Sequence, residues 1–157
     1  MAISAEQIRS EINPPWDAGA TVVLSGHQEG GRYALVIEDI VVWLPPARFQ
    51  AFVDLANARL MTKNAITSIP SAGAHPGSDL ARLTVHRLRR DLQPSLGQKR
   101  VKDLIRRGAS CAGYFLGVSE THVAVADSFF ELTANDVRAE VIDGLRRLRN
   151  EALLKPA

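Results

Sequence analysis

The sequence predicts an α+β fold, and three observations carry that prediction. Residues 21–44 hold three runs rich in β-branched residues, separated by turn chemistry. At Pro46 the apolar spacing switches from two residues to 3.6. Residues 77–118 then hold a basic helix, a second basic segment and an aromatic run, the layout of a helix leading into a hairpin.

In chain order, Ser4 to Gln7 carries a capping pattern for a short helix that Pro14-Pro15 would end. Thr21–Ser25, Arg32–Ile37 and Ile40–Leu44 read as strands of a small antiparallel sheet with one buried face. The Gly-rich stretch 27–31 and the pair Glu38-Asp39 are their hairpin turns. Pro46 to Met61 reads as a helix, because Phe49, Phe52, Val53, Ala56 and Leu60 form one apolar stripe. Residues 62–77 hold at most a short helix around 64–69, followed by loop.

Ser78-Asp79 opens the basic helix. Ala81, Val85, Leu88 and Leu92 share one face, with Leu88 expected against Phe49 and Phe52, while Arg82, His86, Arg89 and Arg90 lie opposite. The helix is expected to break at Pro94, and Lys99–Arg107 alternates in the manner of a strand. A small-residue turn, 108–113, precedes the strand Tyr114–Val118, and Thr121–Leu132 reads as a further or return strand. Thr133 to Asp136 carries an N-terminal capping signature for a last helix reaching Leu154. Its stripe of Val137, Val141, Leu145, Leu148 and Ala152 serves either a homodimer contact or packing on its own domain.

Charge is unevenly spread. The chain totals 19 Lys/Arg and 17 Asp/Glu, yet residues 82–107 hold nine of the basic and only two of the acidic residues, Asp91 and Asp103. That segment is +7 and the remainder −5, the footprint of a partner that is polyanionic. No apolar run is long enough for a membrane span, and no secretion signal opens the chain. One cysteine, Cys111, excludes an internal disulfide and agrees with a reducing cytoplasm. His27, His75, His86 and His122 show no metal-ligand spacing, and no motif suggests catalysis or a cofactor. The expectation is a cytoplasmic, non-enzymatic protein.

Three stretches resemble the winged helix-turn-helix effector domain of OmpR/PhoB-type transcriptional regulators. Leu44-Pro-Pro-Ala-Arg-Phe49 is similar to the segment that leads that family from its small sheet into its first helix. Thr84 to Leu92 is similar to its recognition helix, through the run Arg87-Leu-Arg89-Arg90. Ile105 through Gly113, Tyr114 and Leu116 is similar to its wing. The resemblance covers roughly residues 20–118 and implies sequence-specific double-stranded DNA binding. Only about 20 residues precede that stretch, so control by a phosphoacceptor domain is not implied. The same fold also serves as a protein- or RNA-interaction subunit of larger assemblies.

On that resemblance the chain parses into an N-terminal arm (1–19), a winged helix-turn-helix domain (20–132) and a C-terminal helix (133–157). Arg82, His86, Arg89 and Arg90 would contact bases or phosphates, and Arg87 backbone phosphate. Lys99, Arg100, Lys102, Arg106 and Arg107 would meet phosphate or the minor groove, strand alternation turning only some of them to the DNA. Arg82 and Arg89, seven residues apart, are expected to be exposed together.

Overall fold

The computed structural model describes residues 3–61, 79–107 and 113–154. The expected short helix at 64–69 and the turn residues 108–112, with Cys111, lie outside them. In chain order the elements are α1 (Ala5–Arg9), β1 (Val22–Glu29), β2 (Arg32–Ile37), β3 (Ile40–Leu44), α2 (Pro46–Met61) and α3 (Asp79–Leu96). They continue with α4 (Gln98–Leu104), β4 (Ile105–Arg107), β5 (Tyr114–Leu116), β6 (Val123–Val125) and α5 (Ala139–Leu154). The fold is mixed α+β, and the chain forms two compact units: residues 1–43 with 121–157, and residues 44–120.

The first unit is built on a four-stranded sheet ordered β3-β2-β1-β6. β2 and β3 fall where their β-branched runs place them, but β1 runs on to Glu29 through residues expected as turn, Gln28 and Glu29 pairing with Tyr33 and Arg32. The sheet is mixed rather than antiparallel. β1 pairs antiparallel with β2 and parallel with β6, Val22–Leu24 lying beside Val123–Val125. Parallel neighbours need a long crossover, and in sequence residues 44–120 lie within that connection. Thr121–Leu132 is mostly not strand: three residues pair, between 3-10 turns at Glu120–His122 and Asp127–Glu131.

The expectation of one buried face also fails. Tyr33 to Ile37 are buried without interruption, so β2 is covered on both faces. Ile8, Ile12, Val23, Ala34, Val36 and Ala124 form one core cluster, with Trp16 and Trp43 packed against it. By alternation Val22, Leu24, Leu35 and Ile37 point to the other face, and they too are buried.

Ser4 and Gln7 form the reciprocal capping box of α1, with bonds of 3.1 and 2.7 Å. The helix ends at Arg9, ahead of the prolines expected to stop it. Arg9 then ties down the neighbouring loops. Its guanidinium donates to the carbonyls of Ala18 (2.8 Å), Ala20 (2.7 Å) and Glu38. Glu38 carries a φ of +57°, a left-handed value uncommon outside glycine, in the tight β2–β3 turn.

The signature at Thr133 folds as a turn, not as the start of α5. Thr133 N–H donates to Asp136 Oδ2 at 2.9 Å, and Tyr33 donates its hydroxyl to Asp136 Oδ1 at 2.7 Å. The carboxylate thus serves the turn and the sheet, and the helix begins three residues later. Within α5, Arg146 donates to the Phe130 carbonyl at 3.0 Å, and the Arg149 guanidinium lies 4.3 Å from the Phe130 ring centroid.

The second unit packs α2 on α3 and on the β4–β5 hairpin. Phe49, Phe52, Val53, Ala56 and Leu60 of α2 are buried as their stripe predicts, as are Val85, Leu88 and Leu92 of α3. α3 does not break at Pro94. It runs to Leu96, with Pro94 inside its last turn and Gly97 N–H closing on the Gln93 carbonyl at 2.8 Å. Gly97 then takes a φ of +82°, and the chain turns directly into α4.

Residues 98–104 are therefore helix where a strand was expected. Val101 and Leu104 are buried three residues apart, a helical spacing that outweighs the charge alternation around them. Only Ile105–Arg107 is strand, paired Ile105 to Leu116, Arg106 to Phe115 and Arg107 to Tyr114. Gly117 closes the hairpin against α4, donating to the Leu104 carbonyl at 2.7 Å. A Cβ at Gly117 would stand 1.9 Å from the Asp103 carbonyl oxygen, so the approach requires glycine.

Candidate functional site

The charge asymmetry of the sequence follows the two units. Residues 44–120 contain 12 Lys/Arg and five Asp/Glu, and the other unit seven and 12. The basic unit is therefore +7 and the acidic one −5. Within the basic unit the cations concentrate on α3, α4 and β4.

Arg82, His86, Arg87 and Arg90 are exposed on α3. Lys99, Arg100 and Lys102 are all exposed on α4, so strand alternation does not divide them. Arg106 and Arg107 are exposed on β4. Arg106 is also bound locally, its Nε donating to the Asp103 carbonyl at 3.2 Å and its Nη2 standing 3.7 Å from the Asp103 carboxylate.

Arg89 departs from the expected exposure. It is half-buried, its Nη2 donates to the Ile105 carbonyl at 2.7 Å, and its guanidinium lies 5.9 Å from the Tyr114 ring centroid. The cause is angular. At 100° per residue Arg89 lies only about 40° from Val85, at the edge of the apolar stripe, and the hairpin packs beside that end of α3. Arg82 has nearly the same azimuth but sits two turns away, and there it is exposed.

His86, Arg89, Arg90 and Gln93 of α3 and Gln98, Val101 and Lys102 of α4 line a cleft of about 320 Å³. Four of its seven side chains are cationic or can become so, and none is acidic. The two acids of the basic segment are turned elsewhere: Asp91 pairs with Arg48 at 3.2 Å, and Asp103 with Arg106.

Two roles escaped sequence reasoning. Arg59 of α2 donates to the Leu116 carbonyl at 2.6 Å and lies 5.3 Å from the Phe115 ring centroid, bracing the hairpin from a second helix. Gln93 and Gln98 bring amides into the cleft. Gln93 follows His86 by seven residues and Arg89 by four, a spacing that already sets it on the basic face of the helix expected up to Pro94.

Three of the five apolar residues considered for a homodimer contact are already buried within the single chain. Val137, Val141 and Leu145 are 3%, 2% and 0% exposed. Leu148 and Ala152 are half-buried, and Leu153 and Leu154 are exposed.

His27 pairs with Glu11 at 2.5 Å. Among the described residues no group of His, Cys, Asp and Glu could hold a metal ion. Among them, too, no helix is long and apolar enough to cross a membrane. No protein-family model, curated protein or solved structure matches the chain.

Proposed function

We propose that this protein binds double-stranded DNA sequence-specifically, as a transcriptional regulator with an OmpR/PhoB-like winged helix-turn-helix whose basic face lies within residues 44–120. The observation that carries this reading is the segregation of charge into that unit, with its cations exposed along α3, α4 and β4. In this reading α3 enters the major groove. Arg82, His86, Arg87 and Arg90 are the side chains that reach base edges and flanking phosphates. Arg106 and Arg107 of the hairpin, with Lys99, Arg100 and Lys102, meet the phosphate backbone. Arg89 is the member of the set whose first task is to hold the hairpin to α3. Asp17 and the acidic residues around it make no contact with the duplex in this reading, since like charges repel.

The test is a salt titration of duplex binding by the parent and by Arg82→Ala, with melting recorded to confirm that the variant is folded. Losing one phosphate contact lowers the slope of log K against log salt by about 0.9. Losing a base contact instead costs about 1–3 kcal/mol and relaxes choice at one position. A parent that binds no duplex at low salt would sink the proposal and leave a protein- or RNA-docking role for the basic face.

A further inference from the structure

The turn at Gly97 folds α4 back on α3, so one face of each helix lines the same cleft. On α3, His86, Arg89, Arg90 and Gln93 occupy positions i, i+3, i+4 and i+7; on α4, Gln98 and Lys102 are four residues apart. Each of these six side chains carries at least one N–H donor, and none carries a carboxylate. The nearest acids in sequence are already engaged, Asp91 with Arg48 and Asp103 with Arg106. Arg89 is fixed by the Ile105 carbonyl and the Tyr114 ring, which places one positive charge in advance of any ligand.

A concave site that offers donors and positive charge suits an anion with several acceptor oxygens on one centre. A volume of about 320 Å³ exceeds that of a bare ion and lies at the low end for small-molecule sites. It leaves room for the sugar or carbon chain that carries the anion. We infer that the cleft between α3 and α4 binds a phosphate group, gripped by Arg90 from one helix and Lys102 from the other. Two sources supply that chemistry, the backbone of a nucleic acid and a free phosphate ester. The inference stands on the cleft itself and not on the duplex reading.

The experiment is a chemical-shift titration of the full chain with inorganic phosphate, ionic strength being held constant with chloride. The His86 ring and the Gln93 and Gln98 side-chain amides report on the cleft. In the parent their signals move with phosphate, and a charge-matched control carrying Arg32→Gln with Arg147→Gln, both exposed in the other unit and outside the cleft, keeps that response. In the double variant Arg90→Gln/Lys102→Gln, shown to be folded by its spectrum, the response is lost. Signals that ignore phosphate in the parent, or that move equally in the double variant, overturn the inference whether or not the protein binds DNA.

With the phosphate response established, duplex titration names the source. A loss of duplex affinity in Arg90→Gln/Lys102→Gln larger than in the charge-matched Arg32→Gln/Arg147→Gln control assigns the site to a backbone phosphate. Duplex binding that is unchanged, or absent in the parent, assigns it to a free ester. The second outcome ends the DNA reading or its use of this cleft, and leaves the phosphate site standing.

Discussion

Arg89 and Ile105 are joined by a charged hydrogen bond, with Nη2 of Arg89 donating to the Ile105 carbonyl at 2.7 Å. Ile105 pairs in register with Leu116, whose carbonyl accepts from Arg59 at 2.6 Å. One rung of the β4–β5 hairpin is thus pinned from both α3 and α2. Each guanidinium also covers an aromatic ring of β5, Tyr114 for Arg89 and Phe115 for Arg59. A three-residue hairpin has little stability of its own, so these arginines do much to set where its exposed cations stand.

Arg89→Ala is expected to destabilise the protein by about 1.5–3 kcal/mol, the range for a hydrogen bond to a charged group. Arg89→Lys should recover little, because a lysine lacks the planar fork that reaches the carbonyl while covering the ring. Urea unfolding of the two variants beside the parent measures this. Parent-like midpoints would show that the hairpin holds without the contact.

Leu88 is fully buried on α3, as are Phe49 and Phe52 on α2, and the two helices pack together. Leu88→Ala should cost about 2–5 kcal/mol through lost burial and the cavity left behind. Thermal melting reads the loss. A variant that melts with the parent would mean that the α2–α3 interface closes over the missing side chain.

Leu145 lies at the centre of the α5 stripe and is 0% exposed in the folded chain. Leu145→Ala should likewise cost about 2–5 kcal/mol. Because the burial is intramolecular, the parent's melting midpoint should not depend on protein concentration. A midpoint that climbs between micromolar and hundred-micromolar protein would place the stripe in an interface between copies.

The Tyr33–Asp136 pair links stability to pH at both extremes. Burial, with the hydrogen bond to Asp136 adding to it, pushes the Tyr33 hydroxyl up to about 12. The folded state then holds a proton that the unfolded chain releases near pH 10, so this stabilisation is complete below about pH 10 and is lost as the pH rises toward 12. The Thr133 backbone N–H, and after it the Tyr33 hydroxyl, hold the Asp136 carboxyl below its usual value. That contribution is present above the ordinary carboxylate range and is lost as the pH falls through the lowered value. Tyr33→Phe should flatten the alkaline limb of a stability–pH profile and cost about 0.5–1.5 kcal/mol at neutral pH. An alkaline limb that persists in Tyr33→Phe would assign it to another group.

Local pattern alone determined a good deal of this protein. The strands at 32–37 and 40–44, the helix from Pro46 to Met61 and the buried stripe of α3 follow from periodicities that any packing would have to respect. The concentration of cations between Arg82 and Arg107 is likewise a property of composition. Tertiary structure decided the rest, because long-range pairing has no local signature. Nothing near Val123 indicates that it will lie parallel to β1, since that register depends on a strand 100 residues earlier. Packing against Val101 and Leu104 drew a nominal strand into α4 and made a cleft from side chains that sequence spacing had set on separate elements. Arg82 and Arg89 share an azimuth on the helix, yet one is exposed and the other braces a hairpin. Helical angle fixes the direction in which a side chain leaves the axis; only the folded neighbours decide whether it meets water or a carbonyl.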